Sequence, residues 1–501
     1  MSDLFVDIQL PTGESYKQPI GLFINNEFVE GHSDELISTI NPTNGELITK
    51  VHSANEQDID IAVKSARETY ENVWSKTSGS AKGELLYKLA QLIEEEKEIL
   101  AKIDTLDAGK PYHSNSLGDL EQIIELTKFF AGYADKINGK YIPISDDKFV
   151  YEIKEPYGVV GQIVPWNYPL AMASWKIQSA IAAGNTVVIK SAENTPLSLL
   201  YFGQLVKKAG FPPGVINIVS GLGPIAGSAI AKHEDIDKVA FTGSTNVGKI
   251  IQKLATSNLK AVTLECGGKS PSVVFNDANL KEAVKWSSLG IYYNTGQNCT
   301  ANSRILVEED VYDEFLVKFK QYVLENWITG DPFDSKTTVG PLISKVQLDR
   351  VLEYVKIGED EEHLEKLELG DKAIYSKHNG WFLNPTVFLD VPVDSRLFQE
   401  EIFGPVVTIT KFKGYKDALS KANNTQYGLG SAVFTKDIKK AHKFGKGLKA
   451  GTVWINSSND EDIRASFGGY KMSGIGRELG ESGVDVYTQI KAIHVNLADD
   501  D

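Results

Sequence analysis

The sequence predicts an α/β fold with two helix-covered parallel sheets and a small antiparallel piece beside them. Three observations carry this. Short β-branched runs bounded by Gly, Pro and Asn alternate with amphipathic stretches between residues 157 and 266. A second series with the same rhythm follows Cys299. Two extended, part-alternating segments, "GKYIPISDDKFVYEIKEP" and "VDVYTQIKAIHVN", have no helix to cover them. Strands alternating with helices indicate parallel sheets, whereas uncovered alternating runs pair as antiparallel pieces or extend a neighbouring sheet.

The elements follow in order. Residues 56 to 136 read mostly as helices, because "DIDIAVKSARETYENVW" and "AKGELLYKLAQLIEEEKEILAKIDTLDAG" space apolar residues three to four apart. The run "EEEKE" within them is a solvated helix face. The strands "GVVGQIVP", "NTVVIK", "GVINIVSG", "DKVAFTG" and "AVTLECGG" come next, with the helices "TPLSLLYFGQLVKKAG" and "STNVGKIIQKLATSN" between them. The second series holds "SRILVEE", the helix "VYDEFLVKFKQYVLENW", "PVVTITKF", "GSAVFTK" and "AGTVWIN".

A chain of 501 residues exceeds one ordinary core, so two or three domains are expected. A net charge of -15 argues against nucleic acid or anionic membrane as a partner. No apolar run approaches the ~18 residues of a membrane span. Two cysteines, Cys266 and Cys299, allow at most one disulfide and fit a reducing compartment. The acidic N-terminus lacks the pattern of a secretory or mitochondrial leader, so the cytoplasm is the expected location. Eight scattered histidines and no cysteine cluster make a catalytic metal unexpected. No "GxSxG" elbow appears.

Several stretches carry chemistry. "NTGQNCTANSR" sets Cys299 in a polar turn, where most free cysteines are buried as small hydrophobes. A thiol there is a candidate nucleophile that needs activation. "AFTGSTNVGK" is a strand, a Gly turn and a helix start, which suits a phosphate or is simply a turn. "VVIKSAENTP" places Glu193 three residues after Lys190, either as a ribose-binding acid or as a surface pair. "TLECGGK" ends a strand on Glu265, a candidate general base, and "VPWNYP" holds Asn167 between prolines, a candidate oxyanion donor. Each has a plain structural reading when taken alone.

In combination they are specific. "PWNYP", "VVIKSAENTP", "FTGSTNVGK", "TLECGGKSP", "YYNTGQNCT", "EEIFGPV" and "FGGYKMSGIGRELG" occur in this order. Over residues 20 to 496 the chain resembles the NAD(P)-dependent aldehyde dehydrogenases, especially the non-acylating fungal cytosolic enzymes. The resemblance implies that Cys299 attacks the aldehyde, that Asn167 and the Cys299 N–H hold the oxyanion, and that Glu265 activates the water that hydrolyses the thioester. It also implies a proton relay through Lys176 and Glu478. The polar turn then has a reason: the thiol meets cofactor, aldehyde and water in succession, and burial among leucines would suppress the thiolate.

For the cofactor the resemblance implies NAD, with NADP the weaker alternative because Glu193 repels a 2′-phosphate. Lys190 and Glu193 would hold the adenosine ribose, Gly243 and Ser244 the pyrophosphate, and Trp166 would flank the adenosine side. Glu401 and Phe403 would position the nicotinamide ribose and ring. Around the aldehyde it places Tyr168, Ala171, Met172, Trp175, Tyr293, Asn298, Thr300 and Phe467. The loop "NSSNDEDIRASFGG" is expected to bring Asn459, Asp460, Glu461 and Asp462 to the tunnel mouth. Either it is a solvated acidic loop, or one carboxylate receives the ammonium of an ω-aminoaldehyde such as 3-aminopropanal. Neutral short aldehydes are the alternative substrates.

Two positions depart from the commoner family text: Cys266 follows the general base and Ser191 follows the lysine. A coenzyme A-acylating relative generally dispenses with the carboxylate that Glu265 supplies. A binding or structural relative that had lost the chemistry would not need Cys299, Glu265 and Asn167 together. The resemblance divides the chain into an NAD-binding domain (1–136 and 157–266), a catalytic domain (267–477) and an oligomerisation arm (137–156 and 484–497). It implies a homotetramer, because the long N-terminal segment resembles that of tetrameric members.

Overall fold

The strand Val159–Ile163 is buried along its whole length, as a strand covered by helices on both faces must be. In this computed structural model, which describes residues 4–369 and 379–498, it lies near the middle of an eight-stranded sheet. The order is Gly474–Ile475, Ala261–Glu265, Lys238–Thr242, Val159–Ile163, Thr186–Lys190, Ile216–Val219, Leu22–Ile24 and Glu27–Val29. The strands from Ala261–Glu265 to Ile216–Val219 run parallel, and both flanks are antiparallel. The chain builds outward from Val159–Ile163 on one side, then returns to lay Lys238–Thr242 and Ala261–Glu265 on the other. That reversal opens a crevice at the carboxyl ends of Val159–Ile163 and Lys238–Thr242, where open α/β sheets bind ligands.

A second sheet is parallel throughout: Thr386–Leu389, Val406–Phe412, Arg304–Glu308, Pro271–Val274, Ala432–Phe434 and Trp454–Ile455. Each sheet has its own apolar core, around Val160, Val187 and Ile218 in the first and Ile305, Val407 and Phe434 in the second. The third is antiparallel, with Thr488–Asn496 on Lys148–Pro156 and Lys140–Ser145 at the edge. Tyr141, Ile142 and Ile144 on that edge strand are exposed.

All the quoted strands and helices form. The sequence pattern did not show Leu22–Ile24, Glu27–Val29, Pro271–Val274, Thr386–Leu389 or Gly474–Ile475, which are two to four residues long. Runs that short carry no readable period. The helical stretch from residue 79 divides at Glu96 into Gly79–Glu95 and Lys97–Ala108, and Gly109 ends it in the left-handed conformation. Gly474–Ile475 pairs with Ala261–Glu265, so the chain rejoins the first sheet before residue 477. Part of the expected 267–477 range, residues 370–378, lies outside the described residues, as do residues 1–3 of the 1–136 range. Among the described residues no helix is long and apolar enough to cross a membrane.

Candidate active site

Cys299 stands where two cavities meet. An inner one of about 140 Å³ opens into the crevice of the first sheet, and an outer one of about 370 Å³ runs beside the helix Pro169–Ala182. Cys299 and Met172 line both.

The nucleophile loop is shaped by its backbone. Asn294 and Thr295 adopt left-handed conformations, and Gly296 follows at φ +70°. A Cβ on Gly296 would come within 2.2 Å of the Gly404 carbonyl, so only glycine lets the loop pack there. Gly268 plays the same part from below, since its Cβ would lie 2.5 Å from the Cys299 carbonyl. Asn298, Thr300 and Asn459 then tie the loop: Thr300 Oγ1 donates to Asn298 Oδ1 at 3.1 Å and also bonds Asn459 Oδ1, and Asn298 Nδ2 donates to Asn459 Oδ1 at 3.3 Å.

The polar turn does not by itself keep the thiol ionisable. Burial, and then the Glu265 carboxylate, push Cys299 well above its ordinary value. Its polar neighbours do not offset that, so the thiol needs a base to activate it, as expected from the sequence. Glu265 is buried at the end of its strand and pushed up to about 7, chiefly by burial and then by Glu478. Neither of its oxygens has a partner at hydrogen-bonding distance among the described residues, although the Cys299 thiol and Thr242 hydroxyl lie near enough to lower its pKa in part. A carboxyl near neutrality beside a nucleophile is poised for proton transfer. Lys176 and Glu478 form a buried ion pair, and Glu478 lines a small cavity together with Glu265. Asn167 is buried, and its Nδ2 donates to the Gln297 carbonyl at 2.9 Å, two residues from the nucleophile.

The inner cavity gathers Trp166, Asn167, Gly243, Ser244, Glu265, Glu401 and Phe403. Ser244 caps the helix Thr245–Leu254 by accepting from Val247 N at 3.3 Å. Glu401 accepts from Gly268 N at 2.9 Å, and burial raises its pKa. Trp166 meets Phe403 edge to face with centroids 5.3 Å apart, which sets it nearer the Phe403 end than its expected adenosine side. Lys190 and Glu193 do not line this cavity: Lys190 is buried at the next strand end, 3.3 Å from the half-exposed Glu193 carboxylate. Cys266 lines it as a second free thiol, pushed up to about 12 by burial.

The outer cavity collects Tyr168, Ala171, Met172 and Trp175, one face of the helix Pro169–Ala182 and its cap. Tyr293, Asn298, Thr300 and Phe467 close it, with Asn459, Asp460 and Glu461 also on its wall. Burial pushes Glu461 up to about 7. Asp462 does not join them. It turns outward to pair with Arg464 at 2.6 Å, and that guanidinium holds it low.

Comparison with known proteins shows what the arrangement belongs to. The model of the aldehyde dehydrogenase family matches residues 28–493. The chain belongs to the aldehyde dehydrogenase family. It is 58% identical to aldehyde dehydrogenase [NAD(P)+] 1 of Saccharomyces cerevisiae over 99% of both chains. It is 50% identical to an aldehyde dehydrogenase of Aspergillus niger, over 100% of this chain and 99% of that one. Among solved structures, an NAD+ complex of a Bacillus cereus aldehyde dehydrogenase superposes with a TM-score of 0.92 at 46% identity, covering 96% and 97% of the two chains. A betaine aldehyde dehydrogenase of Staphylococcus aureus with NAD+ superposes with a TM-score of 0.93 at 38% identity, covering 96% of each. The fold is the aldehyde dehydrogenase fold, and the reaction class of the family is oxidation of an aldehyde to an acid.

Sequence reasoning missed several residues of the site. Gln347 Nε2 donates to the Phe403 carbonyl at 2.8 Å and Arg350 to the Glu401 carbonyl at 2.9 Å, both from the helix Lys345–Lys356. In sequence that helix reads as an ordinary surface helix, so nothing local marks them. Asp119 and Gln122 on the outer wall come from a helix far upstream, Leu117–Tyr133.

Proposed function

We propose that this enzyme oxidises an aldehyde to its carboxylic acid with NAD, without coenzyme A, through a thioester on Cys299. The supporting observation is the position of Cys299 at the junction of a crevice suited to a dinucleotide and a tunnel suited to an aldehyde. The residues present fit NAD. A helix N-terminus at Ser244 faces the crevice, as a pyrophosphate requires. Val247 and Ile250 on the same helix are exposed and offer an apolar flank to an adenine. Glu193 lies beyond the neighbouring strand end, suited to ribose hydroxyls and averse to a 2′-phosphate, so NADP is the weaker cofactor.

In this reading Glu265 takes the Cys299 proton, and the thiolate adds to the carbonyl carbon. The second amide hydrogen of Asn167 and the Cys299 N–H hold the oxyanion. NAD, when bound, supplies the hydride acceptor that turns this thiohemiacetal into a thioester. With the Cys299 proton already passed on through Glu478 and Lys176, Glu265 is a carboxylate again. It takes a proton from water, whose hydroxide adds to the thioester and displaces the thiolate; the same pair carries this second proton away. Glu265 in that role supports hydrolysis rather than transfer to coenzyme A.

The substrate we infer is a short aldehyde with a terminal ammonium, such as 3-aminopropanal, with unbranched neutral aldehydes as the alternative. Glu461 and Asp460 on the outer wall support a cation there. The structural relative from Staphylococcus aureus is named for betaine aldehyde, itself a cationic aldehyde. The exposed apolar edge strand Lys140–Ser145 supports a homotetramer in which a second subunit covers it. We keep the three ranges inferred from the sequence as the proposed domain division, with Gly474–Ile475 as the return of the chain to the first sheet, and two free cysteines support a cytoplasmic location.

A single-turnover experiment tests the reaction. Enzyme, NAD and 3-aminopropanal should give one NADH per active site, then steady turnover without coenzyme A. Turnover that requires coenzyme A, or no NADH at all, would overturn the reading. Light scattering that gives a stable monomer would remove the tetramer.

A further inference from the structure

Asn167 is held by its main chain as well as by its side chain. Its carbonyl oxygen accepts from Lys110 Nζ at 3.1 Å and from Asn294 Nδ2 at 2.9 Å. The same Asn294 nitrogen donates to the Gln297 carbonyl at 3.1 Å, the oxygen to which Asn167 Nδ2 donates at 2.9 Å. Asn294 thus spends both amide hydrogens fastening Asn167 to the nucleophile loop, while Asn167 spends only one of its own. Asn294 can do this because the loop puts it at φ 51°, a conformation that asparagine tolerates better than most residues.

Lys110 is a costly residue to keep where it is. It is 2% exposed, and an isolated buried cation is strongly unfavourable. Asp119 compensates it at 2.5 Å, and the ammonium also lies 3.5 Å from the centre of the Tyr168 ring. Lys110 lines neither cavity. Its contacts instead converge on the Asn167–Tyr168 backbone, just before the helix Pro169–Ala182.

We propose that Lys110 and Asn294 are positioning residues that fix Asn167 so that its remaining amide hydrogen meets the developing oxyanion. The inference rests on the reading of Asn167 as the oxyanion donor. An oxyanion donor is effective only when held in place before reaction, and an error near 1 Å costs about a hundredfold. Anchoring one carbonyl from two sides supplies that rigidity without placing either anchor in contact with substrate.

The test compares Lys110→Met, Asn294→Gly and Asn167→Ala in the full-length enzyme. Glycine keeps the left-handed backbone at 294 and removes the side chain that carries the amide. Lys110→Met leaves Asp119 buried without its partner, so Lys110→Met/Asp119→Asn is made alongside and serves if the single variant does not fold. Single-turnover hydride transfer at saturating aldehyde should fall about 10- to 100-fold in the Lys110 and Asn294 variants. NAD affinity should stay within about twofold, because neither residue lines the inner cavity. In an Asn167→Ala background the same changes should cause no further loss, which a merely structural role would not produce. Wild-type hydride transfer in folded Asn294→Gly and Lys110 variants, or losses that multiply with Asn167→Ala, would overturn the proposal while leaving the oxyanion reading intact. A wild-type rate in Asn167→Ala itself would remove the oxyanion reading, and this inference with it.

Discussion

The inner and outer cavities share Cys299 yet are held by different means. On the inner side main-chain groups are pinned: Gly268 N–H by Glu401, the Phe403 carbonyl by Gln347, the Glu401 carbonyl by Arg350 and the Gly267 carbonyl by Ser473. On the outer side the wall is mostly side chains, with Trp175 edge-on to Phe467 at 5.2 Å and its Nε1 donating to Gln122 at 3.1 Å. Pinned backbone leaves little freedom to substitute, which suits a site that meets the same cofactor and the same reacting atoms each time. A wall of side chains changes shape with each substitution, which suits the part that selects the aldehyde. The difference agrees with the proposed division of chemistry on the inner side and specificity on the outer.

The largest effects should therefore come from the junction. Cys299→Ala should abolish NADH formation outright, measured by absorbance with excess aldehyde. Glu265→Gln should lower steady turnover by about 10²–10⁴-fold while a slowed first-turnover burst survives, because the amide takes a proton neither from the thiol nor from water, and only the attacking water has no ionised form of its own to fall back on. Turnover of that variant at the wild-type rate would assign deacylation to another base.

Next comes pH. Glu265 is pushed up to about 7, and it serves as a base only when ionised. Deacylation should therefore rise with pH through about 7 and level off above it. A rate that is flat from pH 6 to 8 would separate Glu265 from the water.

The outer wall should act through selectivity alone. With a carboxylate receiving the ammonium, Glu461→Gln should lower kcat/KM for 3-aminopropanal about tenfold to a hundredfold, from about 1.5–3 kcal/mol for a charge-assisted contact, and leave butanal nearly unchanged. Glu461 is also pushed up to about 7, so the preference for the cation over butanal should fade as pH drops through that value. The ratio of the two substrates cancels the Glu265 titration. An unchanged ratio after neutralising Asp460 and Glu461 in turn would remove the cationic substrate.

Smaller still are changes away from both cavities. Glu193→Gln should raise kcat/KM with NADP by about tenfold or less, since one half-exposed carboxylate acts through partly screened charge. Asp462→Asn should change neither substrate measurably, because that carboxylate faces Arg464 and solvent. A strong Asp462 effect would mean that the loop rearranges around the aldehyde.

The sequence alone determined what depends on neighbours along the chain. Short β-branched runs between Gly and Pro favour strands, and "STNVGK" begins a helix because Ser244 can cap it. "PWNYP" and "YYNTGQNCT" brought Asn167 and Cys299 into view through the resemblance that seven ordered motifs carry together, each motif alone having a plain structural reading. The residues proposed to react were thus named before any coordinate. What lay out of reach depends on residues far apart in the chain. The raised thiol of Cys299 comes from burial and carboxylates contributed by residues 265, 401 and 461. Lys110, Asn294, Gln347 and Arg350 matter through carbonyls that any sequence would have supplied, so their residue types leave no local mark. Asp462 and Glu461 are adjacent in sequence with the same charge, yet one meets solvent and the other the tunnel. Local pattern fixes which element forms, because backbone preference and hydrophobic period act over a few residues. Only the packed chain decides which side chains face one another, and with that their burial, their protonation and the site they share.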